Sequence, residues 1–241
     1  MIVIPMAGKS SRFFEAGFLH PKYELVVGDF TVFYHAINSF RKYFDSDLFL
    51  FIIRNEPGVE QFIRSEITKL GVKKFNIKQL EGNTQGQADT VFQGLQSISL
   101  LEPLYIFNID TFRPGFSKPK ISHLCDGYLE VFEGDGEHWS FVEPGPDGQV
   151  IRTTEKQRIS KLCCDGLYYF RDGVSFMDAF NYAFENNITD HGEYYVAPLY
   201  NHLIKHGLDI RYVLINPEEV IFCGTPDEFL ALSCMNSSNE S

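Results

Sequence analysis

Apolar and polar positions come in blocks along the first 110 residues, and the period of the blocks switches as the chain proceeds. Ile2-Val3-Ile4 is a short apolar strand, and residues 48–53 form a continuous apolar run of the kind found in strands covered on both faces. Val59, Phe62, Ile63, Ile67 and Leu70 recur instead at helical spacing, with Gly71 as the stop. Residues 32–40 predict a helix entered from Asp29-Phe30-Thr31, residues 75–80 alternate as a strand, residues 88–95 predict a helix, and residues 104–109 predict a further buried strand. This β-α-β-α-β-α-β rhythm predicts an α/β fold: a three-layer α/β/α arrangement around a mostly parallel, Rossmann-like sheet. Ligands of such sheets sit beyond the carboxyl ends of the strands. The loop over residues 7–12 and Asp110 both fall at such ends.

After Asp110 the pattern becomes mixed. Short strands are predicted over 128–132, 139–142, 150–153 and 166–170, with Pro144-Gly145-Pro146-Asp147-Gly148 as a hairpin tip. Helical patterns follow over 176–184 and 195–206, then a strand over 210–214. Neither an internal repeat nor a separating linker is visible, and 241 residues fit a single α/β domain. The end of the chain from Met235 is polar and is expected to fray.

Composition narrows the partners. The net charge of −11 argues against nucleic acid, and any site for a polyphosphate must therefore be locally basic. No apolar run reaches the roughly 18 residues of a membrane span. The opening Met1-Ile2-Val3-Ile4-Pro5 lacks the basic region of a signal peptide and reads as a core strand. Cys125, Cys163, Cys164, Cys223 and Cys234 show no CxxC spacing and are expected to be reduced and buried in a cytoplasmic protein.

The chemistry begins at Pro5-Met6-Ala7-Gly8-Lys9-Ser10-Ser11-Arg12-Phe13, followed by Pro21-Lys22. A buried strand that breaks into a small, hydroxyl-rich, glycine-containing loop edged by Arg12 and Lys22 is a phosphate cradle, with backbone N–H groups for contact and two cations for charge. It is not the Walker pattern, because Val3 stands five residues before Gly8 where that pattern needs glycine. With one glycine and no matching helix start it is not the dinucleotide fingerprint either. Asp110, at the end of the strand over 104–109, is suited to hold Mg²⁺ against triphosphate oxygens. Gly86 and Gln87, in the polar run before the helix over 88–95, read as base and ribose recognition: Gly86 would let a flat base approach, and Gln87 offers a donor and an acceptor.

The spacing of the loop and Pro21-Lys22 resembles the signature of the sugar-phosphate nucleotidylyltransferases, whose loop reads Ala-Gly-x-Gly-Thr-Arg with Pro-Lys about ten residues later. Ser10 and Ser11 stand here for the Gly-Thr pair. The resemblance implies a nucleotidyltransferase fold of the kind shared with nucleotide-sugar glycosyltransferases (GT-A-like), with a smaller mixed acceptor-binding half. It implies one domain over 1–232, divided into a nucleotide half to about residue 110 and an acceptor half from about 111, followed by a flexible tail from 233. Ala7, Gly8, Lys9, Ser10 and Ser11, with Gly86 and Gln87, would bind nucleotide; Arg12, Lys22 and Asp110 would be catalytic, with Asp110 the Mg²⁺ ligand. Glu155-Lys156 after the Gly148-Gln149-Val150 turn, Gly166 and Glu193 match acceptor-side elements, with Lys156 on the acceptor phosphate. In the family's Asp-x-Gly-Thr-Pro-Glu-Asp motif the first Asp completes the metal site, and this chain has Phe222 there.

The expected reaction is transfer of a nucleoside monophosphate from a nucleoside triphosphate to a phosphorylated small molecule, a sugar 1-phosphate by resemblance to enzymes of bacterial capsule and surface polysaccharide biosynthesis. Phosphocholine is the alternative acceptor, since Tyr168, Tyr169, Tyr194 and Tyr195 could cage a cation. A nucleotide-using glycosyltransferase is disfavoured because Asp110-Thr111-Phe112 lacks the second carboxylate of an Asp-x-Asp motif. A non-catalytic nucleotide-binding regulatory domain is disfavoured by the intact Arg12, Lys22 and Asp110. Neither nucleic acid nor a membrane is an expected partner.

Overall fold

In chain order the first half runs β1 (Ile2–Pro5), α1 (Ser11–Glu15), β2 (Val26–Val27), β3 (Phe30–Thr31), α2 (Val32–Asn38), β4 (Phe49–Arg54), α3 (Val59–Leu70), β5 (Phe75–Leu80), α4 (Gln87–Leu95), β6 (Leu104–Phe107) and β7 (Thr111–Phe112). The second half runs β8 (Gly127–Glu133), β9 (Ser140–Pro144), β10 (Val150–Glu155), β11 (Leu162–Phe170), α5 (Gly173–Glu185), α6 (Val196–Lys205), β12 (Ile210–Ile215), β13 (Ile221–Phe222) and α7 (Pro226–Ser237). These elements come from a computed structural model that describes residues 1–96 and 98–237.

Nine strands form one sheet. β5, β4, β1 and β6 lie parallel in that order. β11 pairs antiparallel with β6, β8 pairs antiparallel with β11, and β12 pairs parallel with β8. The β9–β10 hairpin joins through the first residues of β11. The sheet is thus continuous from one half of the chain to the other.

The alternation of side chains along each strand divides the apolar residues between two cores. Ile2, Ile4, Phe49, Phe51 and Phe107 face α2 and α3, meeting Phe33, Ile37, Ile63 and Ile67. Val3, Leu50, Ile52, Leu104 and Ile106 face the other way and meet Val91 of α4, Phe176 and Phe180 of α5, and Leu199 and Tyr200 of α6. This double coverage is why residues 49–53 are apolar without interruption and fully buried. Local caps agree with the elements: Thr31 accepts from Tyr34 N–H at 3.0 Å, and Asp172 accepts from Ser175 N–H at 2.8 Å.

Several sequence expectations are corrected. The strand over 104–109 ends at Phe107, because the chain turns there, with Thr111 N–H donating to Asn108 C=O at 3.4 Å. β11 begins at Leu162, four residues before its expected start, because β8 and β9 flank its first residues on both edges. A helix does follow the first loop, although α1 is only five residues long. α7 continues to Ser237, and Phe229 and Leu232 pack on the core, so the stretch from 233 is helical to that point; residues 238–241 lie outside the described residues. Cys125, Cys163, Cys164 and Cys223 are buried and not disulfide-bonded, but Cys234 is exposed on α7. Among the described residues no helix is long and apolar enough to cross a membrane.

Candidate active site

A cleft of about 660 Å³ opens beyond the carboxyl ends of β1 and β6. Its walls include Ala7, Gly8, Lys9, Ser10, Ser11, Arg12, Lys22, Gly86, Gln87, Asp110, Glu155, Gly166 and Glu193, so thirteen residues singled out from the sequence share one cavity. Lys156 alone among the predicted residues is not on the wall; it lies behind Tyr195, donating from Nζ to the Tyr195 hydroxyl at 2.6 Å.

Ser10 shapes the loop. It takes a left-handed conformation (φ 52°), its carbonyl accepts from Phe13 and Phe14 N–H to start α1, and its hydroxyl accepts from Lys22 N–H at 3.2 Å. That last bond ties the loop to the Pro21-Lys22 segment. A Cβ on Gly8 would meet no heavy atom within 4 Å, so nothing in the protein itself demands glycine there. Arg12 and Lys9 make no ion pair among the described residues, whereas Lys22 Nζ lies 2.5 Å from Asp110 Oδ2.

Asp110 sits on the turn between β6 and β7. The β7–β13 pairing sets Phe222 opposite Thr111, and Cys223 N–H then donates to the Asp110 carbonyl at 2.8 Å. Gly224 packs directly on the carboxylate: a Cβ there would stand 2.7 Å from Asp110 Oδ2 and 3.7 Å from Glu228 Oε2. Glu228 Oε2 accepts from Gly224 and Thr225 N–H at 2.8 and 2.9 Å, and Thr225 Oγ1 accepts from Glu228 N–H at 3.3 Å. This capping box opens α7 and brings a second carboxylate to the cleft. Sequence reasoning missed Glu228, although Thr225-Pro226-Asp227-Glu228 carries the Thr-x-x-Glu signal. Phe222 turns to Trp139 and Phe132, with ring centroids 4.5 and 5.2 Å away. Burial beside Asp110 and Glu228 pushes the Cys223 thiol up to about 12, which keeps it protonated and unfit as a nucleophile.

Two oxygen donors, Asp110 and Glu228, fit a hard cation. Among the described residues no three His, Cys, Asp or Glu side chains come together as a metal site, so the chain's own donors suit an ion whose remaining ligands come from substrate oxygens.

The polar loop before α4 is bound to the backbone of Tyr194. Gly86 has φ 104°, and a Cβ there would stand 2.6 Å from the Tyr194 carbonyl oxygen. Tyr194 N–H donates to Gln85 C=O at 2.7 Å, and Ala88 N–H donates to Tyr194 C=O at 2.9 Å. The backbone of Tyr194 is thus by itself a sufficient reason for glycine at 86, which also lines the cleft. Gln87 donates from Nε2 to Asn108 Oδ1. Asn108 in turn crowds Gly166 (φ 100°), where a Cβ would stand 2.4 Å from Asn108 Nδ2.

In the cleft wall, the Glu155 side chain is almost fully buried and accepts from the Ser140 hydroxyl; burial raises its pKa against that bond and the nearby Lys156. Lys156 Nζ lies over the Tyr195 ring at 4.3 Å, 3.6 Å from Asp190 and 3.7 Å from Glu155, and the Tyr195 hydroxyl donates to Glu193 at 2.6 Å. Trp139 and Tyr168 add aromatic surface to this wall. Beneath it Asp165 is buried with Oδ2 unpartnered, near Glu130, which Arg113 holds at 2.6 Å. Burial and the Glu130 charge hold the Asp165 carboxyl well above its ordinary range.

No protein-family model matches the chain, and no curated protein does. Solved structures match along almost its whole length. A nucleoside-diphosphate-sugar pyrophosphorylase from Vibrio cholerae RC9 is 48% identical, covers 97% of this chain and 100% of its own, and superposes with a TM-score of 0.93. An inositol-1-phosphate CTP transferase from T. maritima (14% identity, 96% and 94% coverage, TM-score 0.72) and a UDP-glucose pyrophosphorylase (14%, 100% and 98%, 0.75) share the fold. With nearly half its residues identical to the Vibrio protein across both full chains, this protein belongs to the sugar-phosphate nucleotidyltransferase family, whose members are enzymes.

Proposed function

We propose that the protein transfers a nucleoside monophosphate from a nucleoside triphosphate to a sugar 1-phosphate and releases pyrophosphate. An acceptor phosphate oxygen attacks the α-phosphorus in line, the bond to the β-phosphate oxygen breaks, and pyrophosphate leaves with that electron pair. No protein nucleophile takes part; the residues orient the reactants and neutralise charge. The observation that carries this reading is the meeting of Arg12, Lys22 and Asp110 in one cleft, although 88 residues separate the last two.

Gly8 and its neighbours would hold the nucleotide through the backbone, with Gln87 toward the base. Arg12 would neutralise the departing phosphates, and Lys22 the charge that grows at the α-phosphate. Asp110 would hold Mg²⁺, with Glu228 beside it; when bound, the ion supplies charge neutralisation along the triphosphate. Glu155, Gly166 and Glu193 would line the acceptor, and Lys156, once drawn from its contacts with Tyr195, Glu155 and Asp190, would take the acceptor phosphate. We place the enzyme in the cytoplasm, supplying bacterial surface polysaccharide assembly, as the resemblance implies. We read it as one domain over 1–232, with the nucleotide half ending near 110.

A second acceptor reading, phosphocholine, is favoured by the carboxylates Glu155 and Glu193 beside Trp139, Tyr168 and Tyr195. The test is a matrix of four nucleoside triphosphates against sugar 1-phosphates and phosphocholine, read by pyrophosphate release. Turnover with a sugar 1-phosphate is expected; turnover with phosphocholine alone would replace the first reading by the second.

A further inference from the structure

The two side chains to which the proposed reaction gives different partners are joined to each other. Lys22 and Asp110 pair at 2.5 Å, with only 25% and 18% of their side chains exposed. Each is anchored independently of the pair. Lys22 N–H is held by the Ser10 hydroxyl, while the Asp110 carbonyl accepts from Cys223 N–H and its carboxylate packs on Gly224. Glu228 makes no ion pair with Lys22 among the described residues; its Oε2 accepts from two backbone N–H groups instead. In a half-buried cleft such a pair is screened less than at the surface. Arg12, the cradle's other edge cation, in α1, has no carboxylate partner among the described residues, so the pairing is particular to Lys22 and not a general feature of the cradle.

We propose that Lys22 and Asp110 form a latch that makes divalent cation and nucleotide bind cooperatively, each side chain releasing the other only when both ligands are present. The proposal rests on reading the cleft as a nucleoside triphosphate site. A polyphosphate alone would have to draw Lys22 off the Asp110 carboxylate and leave that carboxylate uncompensated against phosphate oxygens. A cation alone meets a carboxylate already neutralised by an ammonium. With both, Asp110 exchanges its ammonium for the cation and Lys22 exchanges its carboxylate for a phosphate oxygen, so no charge is left uncompensated. By linkage the enhancement is reciprocal.

The test is a double-mutant cycle read by calorimetry, with inorganic triphosphate as a base-independent probe, on the parent, Lys22→Met, Asp110→Asn and the double variant. Without divalent cation, Asp110→Asn frees Lys22 and should tighten triphosphate binding at least about fivefold. In the Lys22→Met background that gain should fall below about twofold. An equal gain in both backgrounds would mean that Asp110 merely repels phosphate, and the latch would be overturned. With Mg²⁺ present, the parent should bind at least about tenfold more tightly than without it, and Asp110→Asn should lose that enhancement. If none of the four proteins bound triphosphate under either condition, the nucleotide-site reading would fall and the latch with it. Binding with an unchanged cycle would remove the latch alone.

Discussion

The loop over residues 7–12 and the wall that carries Glu155, Gly166 and Glu193 share one cleft but are built on different principles. The loop is contiguous in sequence, and two of its cations, Lys9 and Arg12, have no carboxylate partner among the described residues. The wall draws Glu155, Gly166 and Glu193 from separate elements and locks its cation in place. Lys156 is held by a hydroxyl, an aromatic face and two carboxylates. Charge left unpaired in a loop is available to a ligand, whereas charge already compensated mainly holds the architecture. Substitutions in the loop should therefore act on ligands, and substitutions on the wall should spread through the network. Lys22 is the exception that joins the two styles, a loop cation with a partner.

The sharpest way to break this comparison lies at Asp110. Asp110→Asn should cost at least two orders of magnitude in turnover, since loss of a preorganised electrostatic group is typically worth ~3 kcal/mol. The near-isosteric amide should leave the fold intact. Turnover within threefold of the parent would remove Asp110 from the chemistry.

The next largest effect separates the loop cations. Lys22→Ala should lower kcat more than it raises KM for the nucleotide, because its role develops in the transition state. Arg12→Ala should weaken both parameters. A Lys22→Ala enzyme with a normal kcat and only a raised KM would contradict the assignment at the α-phosphate.

Two glycines sharpen the contrast between free and committed positions. Gly86→Ala places a Cβ against the Tyr194 carbonyl at a φ that L-residues avoid, and it should destabilise the fold by about 1–3 kcal/mol. Gly8→Ala meets nothing in the protein and should melt within ~0.5 kcal/mol of the parent while binding nucleotide less well. Paired melting curves decide the matter; equal destabilisation would erase the distinction.

The smallest effect is a slope. Asp165 has a raised pKa in the fold, so between the ordinary carboxylate value near ~4 and that higher value the folded state binds more protons than the unfolded state. Stability from this group is present below the ordinary value and declines as pH rises through the window. Asp165→Asn, neutral at every pH, should flatten that decline between pH 5 and 8. Parallel denaturation midpoints for parent and variant across that range would show that Asp165 carries no such proton.

How much of this could be read from the chain alone depended on the range of the interaction that decides each feature. Strand and helix periods in the first half, the stop at Gly71, and the cradle over residues 7–12 are local, because a buried strand, a helix cap and a phosphate loop each depend on neighbours a few residues away. The hairpin tip at Pro146–Gly148 is legible for the same reason. The two-residue pairs β2–β3 and β7–β13 carry too few residues for a period to show. Glu228 reads locally as a cap; only the β7–β13 pairing brings it beside Asp110. Gly86 reads locally as a loop glycine, and only the fold shows that a chain segment more than 100 residues away would meet a Cβ there. Sequence determined which residues could do chemistry. Tertiary structure decided which of them are free to do it, because whether a charge is available or compensated depends on contacts made across the sheet, and those leave no periodic trace in the chain.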